Sequence, residues 1–136
     1  MNDLISLLQH IEKRPGMYFG DGERSRSIRI LQAFITGFRC AQDPKSPYAL
    51  DCYTQWVATH YRVLADSMGG NDMILEHVGG DERKAFDEFF RLLPEYLRDR
   101  EQLGFEGILL RFSEVQEQLW EAFSKEGKDD RSGSGV

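Results

Sequence analysis

Asp81–Leu103 reads DERKAFDEFFRLLPEYLRDREQL. Phe86, Phe89, Phe90 and Leu93 recur at helical spacing and make the richest apolar stripe in the chain. Asp81 stands where an N-cap belongs, since its carboxylate can take backbone N–H groups that a first helical turn leaves free. Pro94 lacks an N–H, so the helix is expected to end or kink there and to resume over EYLRDREQL. A long amphipathic helix of this kind needs apolar partners, and the stretches before it supply them in helical form.

Leu4, Leu7, Leu8 and Ile11 fall on one helical face, with Asn2 or Asp3 as cap. Pro15 ends that helix, because the residue before a proline is pushed out of the α region. Pro15-Gly16 suits the centre of a type II turn, which predicts that the chain reverses there. Met17, Tyr18 and Phe19 are then expected to plug the corner before Gly20. A second helix starts at Ser25 or Ser27 and carries Ile28, Leu31, Phe34, Ile35 and Phe38 inward. Gly37 within it offers room for a close helix crossing. After a loop with two prolines, Asp43 to Asp51, a third helix spans about Asp51 to Ala65 with Tyr53, Trp56, Val57, Tyr61 and Leu64. A short helix follows over Met73 to Val78, between two glycine breaks.

Beyond Leu103 the pattern changes. Gly104 to Phe112 fits either a short strand, near 105–112, or an irregular docking segment. Ser113 with Gln116 reads as a capping box opening a last helix on which Val115, Leu119, Trp120 and Phe123 share a side. The expected architecture is mainly α: one compact domain over 1–126 of about five to seven helices, then a polar tail over 127–136 without fixed structure. The chain has 136 residues, enough for one core without staples.

Net charge is −6 and unevenly spread: residues 1–40 carry +2 and residues 41–136 carry −8. An acidic body argues against nucleic acid as a partner and steers towards a basic protein. No apolar run reaches the roughly 20 residues of a membrane span, and the N-terminus lacks the basic and small-residue pattern of a secretory signal. The expected compartment is the cytoplasm, with Cys40 and Cys52 as reduced, partly buried thiols.

No spacing for metal or nucleophilic chemistry emerges. His10, His60 and His77 form no i, i+4 pair, and the two cysteines are not spaced as Cys-x-x-Cys. The expectation is no catalytic residue, no cofactor and no metal. Candidate contact residues for a protein partner are the acids near the helix breaks, Asp66, Asp72, Glu76, Asp81 and Glu82. Tyr48 and Tyr53 join them, because they flank a proline loop and are expected to be exposed. Trp56, Tyr61, Phe86, Phe89, Phe90 and Trp120 are expected in the core.

Two resemblances bear on function. The run EKRPGMYFGD (Glu12–Asp21) resembles the RKRPGMYIGD segment of type II topoisomerase ATPase domains of the gyrase B kind. That likeness implies nucleotide binding near Tyr18 and Asp21. However, the matching helix, RILQAFITGFRCAQ, holds no acid or Asn, and the Asp-x-Gly-x-Gly and glycine-rich lid that would cradle phosphate and metal are absent. Pro15, Gly16, Tyr18 and Gly20 are therefore read as a structural turn.

The wider layout resembles a group of small bacterial proteins with an RPGMYxG motif. The matching parts are Arg14–Gly20, Ala33–Phe38, Trp56, Ile74–Gly79 and Asp81–Leu93, so the likeness covers about residues 1–97. Pro94 departs from its unbroken last helix, and residues 98–136 lie outside it. Some of these proteins resemble immunity proteins of polymorphic toxins and type VI effectors. The resemblance implies a protein that binds and neutralises a cognate toxin domain; the missing catalytic groups and the −8 body add the expectation of a non-enzymatic protein that occludes a basic active-site surface. The alternatives are a non-catalytic scaffold domain of another bacterial complex and, behind it, a small nucleotide-binding domain related to the gyrase B-type ATPases.

Overall fold

The computed structural model describes residues 3–134, with backbone alone at Glu23 and at 127–134. Among the described residues the fold is all helical: α1 (Leu4–Lys13), α2 (Pro15–Phe19), a 3-10 turn (Glu23–Arg26), α3 (Ile28–Ala41), α4 (Tyr53–Tyr61), α5 (Gly70–His77) and α6 (Glu82–Ser134). α4 lies against α5 and α6, and α3 and α5 also pack on α6. α6 is thus the spine of the domain.

The caps form as the sequence requires. Asp3 Oδ1 accepts from the Ser6 N–H at 2.8 Å, Ser27 Oγ from the Ile30 N–H at 3.4 Å, and Asp81 Oδ1 from both the Arg83 and Lys84 N–H groups at 3.0 Å. Leu4, Leu8 and Ile11 of α1 and Ile28, Leu31 and Ile35 of α3 are buried with Phe86, Phe89, Phe90, Leu92 and Leu93 of α6. Each fully buried side chain of this size contributes roughly 1.5–3 kcal/mol. Tyr53, Trp56, Phe89 and Tyr96 form an aromatic cluster at the centre, with ring centroids 5.5–5.8 Å apart and edges tilted onto faces.

Pro15-Gly16 does not form a type II turn. Pro15 opens α2 at its first position, where a fixed φ suits the helix and the missing N–H costs nothing. The corner is therefore filled differently from expectation. Pro15 is buried and Phe19 packs edge-on against Phe34 at 5.7 Å, while Met17 is 73% exposed. Tyr18 is also partly exposed and leans on the Phe34 ring at 6.4 Å. The chain leaves α2 through Gly20 and Gly22, both at positive φ (85° and 99°).

Gly37 faces open space, so no helix crosses there. The close approach is at Gly70, where a Cβ would meet Tyr53 Cε1 at 2.8 Å. That contact seats the start of α5 on α4. α4 itself is shorter than the apolar pattern suggests, because Arg62 takes a left-handed conformation (φ 53°) and ends it.

α6 passes straight through Pro94, which lies on the exposed side between the buried Leu92, Leu93 and Tyr96. Packing of the turns on both sides outweighs the roughly 3 kcal/mol a mid-helix proline costs. The bend is at Gly104 instead, at φ 68° and ψ 173°. Beyond it, residues 105–112 are helix and not a strand, and Ser113 and Gln116 are mid-helix and not a capping box. A lone strand there would leave its backbone groups without partners, whereas a helix satisfies its own. The expected tail at 127–136 lies, in its side chains, outside the described residues; the backbone of α6 runs on to Ser134.

Candidate functional site

The end of α4 creates a groove. After Arg62 the chain turns back, with the Val63 N–H bonded to the Ala58 carbonyl at 3.0 Å. The 63–69 segment is then fixed by a turn of its own and by bonds from two neighbours. Asp66 Oδ1 accepts from the Met68 N–H at 2.6 Å, Thr54 Oγ1 from the Gly70 N–H at 3.1 Å, and Gln116 Oε1 from the Ala65 N–H at 2.8 Å. Gln116 also donates to the Val63 carbonyl at 2.9 Å, and Arg62 donates to Gln118 at 3.1 Å. These bonds tie the segment to the part of α6 beyond the bend.

Between this segment and α5 lies a cavity of about 270 Å³ lined by Tyr61, Val63, Leu64, Met68, Met73 and His77, with Asp66 and Glu76 among the same walls. Tyr61 and His77 stack face to face, centroids 4.1 Å apart. The Tyr61 hydroxyl is buried without a hydrogen-bond partner, as is Glu95 Oε2. Burial, then the nearby Glu88 carboxylate, push the Tyr61 phenol up to about 12. The ring is therefore a neutral wall. The groove offers apolar floor and carboxylate rim, which suits an apolar or cationic side chain from another protein.

The acids predicted as contacts do not form one patch. Asp66 and Glu76 share the groove. Asp72 lines a different cavity, with Tyr48 and Tyr53. Asp81 is engaged as the cap of α6, and its two backbone N–H donors hold its carboxyl below the usual range. Glu82 accepts from the Ser27 hydroxyl at 2.9 Å and pairs with Arg29 at 3.4 Å. Around these last two stand Arg24, Arg26, Arg29 and Arg83, so the local surface is basic rather than acidic.

Tyr53, expected at the surface, is buried and donates to Asn71 Oδ1 at 3.1 Å; α4 turns it into the aromatic cluster. Tyr48 is half-buried under the Arg39 guanidinium, 3.8 Å from the ring centre. Cys40, expected to be partly buried, is exposed, and both thiols are free. At the Pro15 corner, Gly16 accepts from the Gly20 N–H at 3.1 Å, and α3 presents Phe34 there.

Trp120, expected in the core, is 56% exposed and Phe123 59%, their rings edge-to-face at 5.9 Å. Phe105, Leu109 and Leu110 are exposed on the same part of α6. The role of Gln116 as the clamp on residues 63–65 was hidden by its capping-box spacing. The signal available in sequence was the apolar stripe continuing well past Gly104.

No helix among the described residues is long and apolar enough to cross a membrane. No protein-family model, curated protein or solved structure matches this chain.

Proposed function

We propose that this chain is a binding protein of the immunity type, which seats on a cognate toxin or effector domain and occludes its active site. The observation that carries the reading is the groove between α4 and α5: an apolar floor from Val63, Leu64, Met68 and Met73 with Asp66 and Glu76 beside it. A basic side chain of the partner enters with its stem on the methionines and its charge beside the carboxylates. The −8 charge of residues 41–136 speeds the encounter with a basic active-site surface. A stable complex of this kind hides roughly 800 Å² per partner, so the groove is one part of a wider contact.

The test is co-expression with the protein encoded beside this chain. The expected result is rescue of growth and a complex on gel filtration, both weakened by Asp66→Lys with Glu76→Lys. No rescue and no complex overturns the proposal. A complex without any effect on toxicity overturns neutralisation and assigns the chain to the scaffold alternative.

A further inference from the structure

The part of α6 beyond Gly104 is covered on one side only. Ile108 is buried and Phe112 packs on the core, while Val115 and Leu119 are half-covered. Gln116 meets the backbone of Val63 and Ala65. Trp120 and Phe123 stand four and seven positions after Gln116, hence on the same helical face, past the point where the body stops. Leu109 lies eleven positions before Trp120, about three helical turns, and Phe105 one turn earlier again. Phe105, Leu109, Trp120 and Phe123 therefore form an exposed apolar stripe in two parts, Phe105 with Leu109 and Trp120 with Phe123, on either side of Gln116, where residues 63–65 dock. Exposed aromatic side chains gathered this way are the usual anchors of protein contacts.

Charge bears on what could cover the stripe. Residues 101–126 hold six glutamates (Glu101, Glu106, Glu114, Glu117, Glu121, Glu126) against Arg111 and Lys125, a net −4. A second copy laid on the same stripe brings a second −4 into the contact. A partner whose apolar surface is rimmed by lysine or arginine cancels the charge instead. We propose that this stripe is the main seat of a heterologous protein partner presenting an apolar face with a basic rim. The proposal rests on reading the chain as a binding protein and adds the surface and the partner's chemistry. The groove at Asp66 and Glu76 lies next to it, because Val63 borders the groove and is held by Gln116.

The experiment labels the full chain with 5-fluorotryptophan, which gives one ¹⁹F resonance for buried Trp56 and one for exposed Trp120. The probes are two synthetic amphipathic helical peptides of one pattern, leucine with lysine and leucine with glutamate. The leucine–lysine peptide is expected to shift Trp120 and leave Trp56 unmoved, with affinity falling about tenfold between low and high salt as the charges are screened. The glutamate peptide leaves both resonances in place. Trp120→Ser with Phe123→Ser is expected to weaken the lysine peptide at least about tenfold while the thermal midpoint stays put, since both side chains are exposed.

Equal response to both peptides, or to neither, overturns the proposal. So does a Trp120 shift that follows the protein's own concentration as its mass doubles, which assigns the stripe to a second copy. A Trp120 response without rescue of growth retires the toxin reading and keeps the stripe.

Discussion

Gln116 holds the backbone of Val63 through its side-chain amide, N–H to carbonyl at 2.9 Å, and takes the Ala65 N–H with its oxygen at 2.8 Å. One glutamine thus acts as a two-ended clip between α6 and the wall of the groove. Gln116→Ala is expected to cost about 1 kcal/mol, the net worth of bonds of this kind near solvent. Amide hydrogen exchange should show faster exchange at Ala65 with little change in the aromatic core. Unchanged protection at Ala65 would refute the clip.

Gly104→Ala tests the bend. The glycine sits at φ 68° and ψ 173°, where a side chain is strained, although a Cβ would touch nothing within 4 Å. Strain alone should cost about 1–3 kcal/mol. The variant relieves it by straightening α6, which draws Gln116 away from Val63. Urea denaturation reads the loss, and exchange at Ala65 reads the displaced clip.

Tyr61→Phe is expected to stabilise the protein by about 1 kcal/mol. The wild-type hydroxyl is buried without a partner, and removing such a group recovers its desolvation cost. The ring keeps its stack on His77. A loss of stability in urea would show that the hydroxyl is bonded in solution.

Alkaline pH should unfold the protein through its tyrosines. Burial pushes the phenols of Tyr61 and Tyr96 up to about 12, and the Tyr53 phenol well above its ordinary value. A group whose folded pKa is raised gives stability that is whole below the unfolded value, about 10, and is lost as pH rises towards the folded one. The denaturation midpoint should hold up to about pH 10 and fall between about 10 and 12, with phenolate absorbance appearing as the chain unfolds.

Asp81 works in the opposite direction. Its carboxyl is held low by the Lys84 and Arg83 N–H groups, so its contribution is present above the ordinary carboxylate range and fades as pH falls through the lowered value. Asp81→Ala should lower the thermal midpoint at neutral pH, and the gap to wild type should close in acid. Asp81→Asn, which caps without charge, should stay near wild type throughout. Melting curves at several pH values check all three.

The helices were legible where one apolar face had one job. Leu4, Leu8 and Ile11, or Phe86, Phe89 and Leu93, bury as their spacing predicts, and Asp3, Ser27 and Asp81 cap as their chemistry predicts. Local signals misled where tertiary contact outweighed them. Pro94 suggested a break, but flanking burial carried α6 through it, and the bend fell ten residues later at Gly104. Pro15-Gly16 matched two backbone conformations, and Phe19 packing on Phe34 selected the helical one. The candidate contacts were legible only in part. Sequence marks Asp66 and Glu76 as acidic, but the groove they share depends on Arg62 turning the chain left-handed, a conformation its residue type does not announce.

Beyond the bend, Ile108 is the only side chain buried outright among the described residues. The fold therefore draws little of its cohesion from that last stretch, and replacements on its exposed positions, away from Ile108, Phe112 and Gln116, are nearly free of structural penalty. Mutation can rewrite the outer stripe, and with it the choice of partner, while the helices of the body stay intact. In a lineage whose partners change quickly, this separation lets recognition drift without a matching loss of foldability.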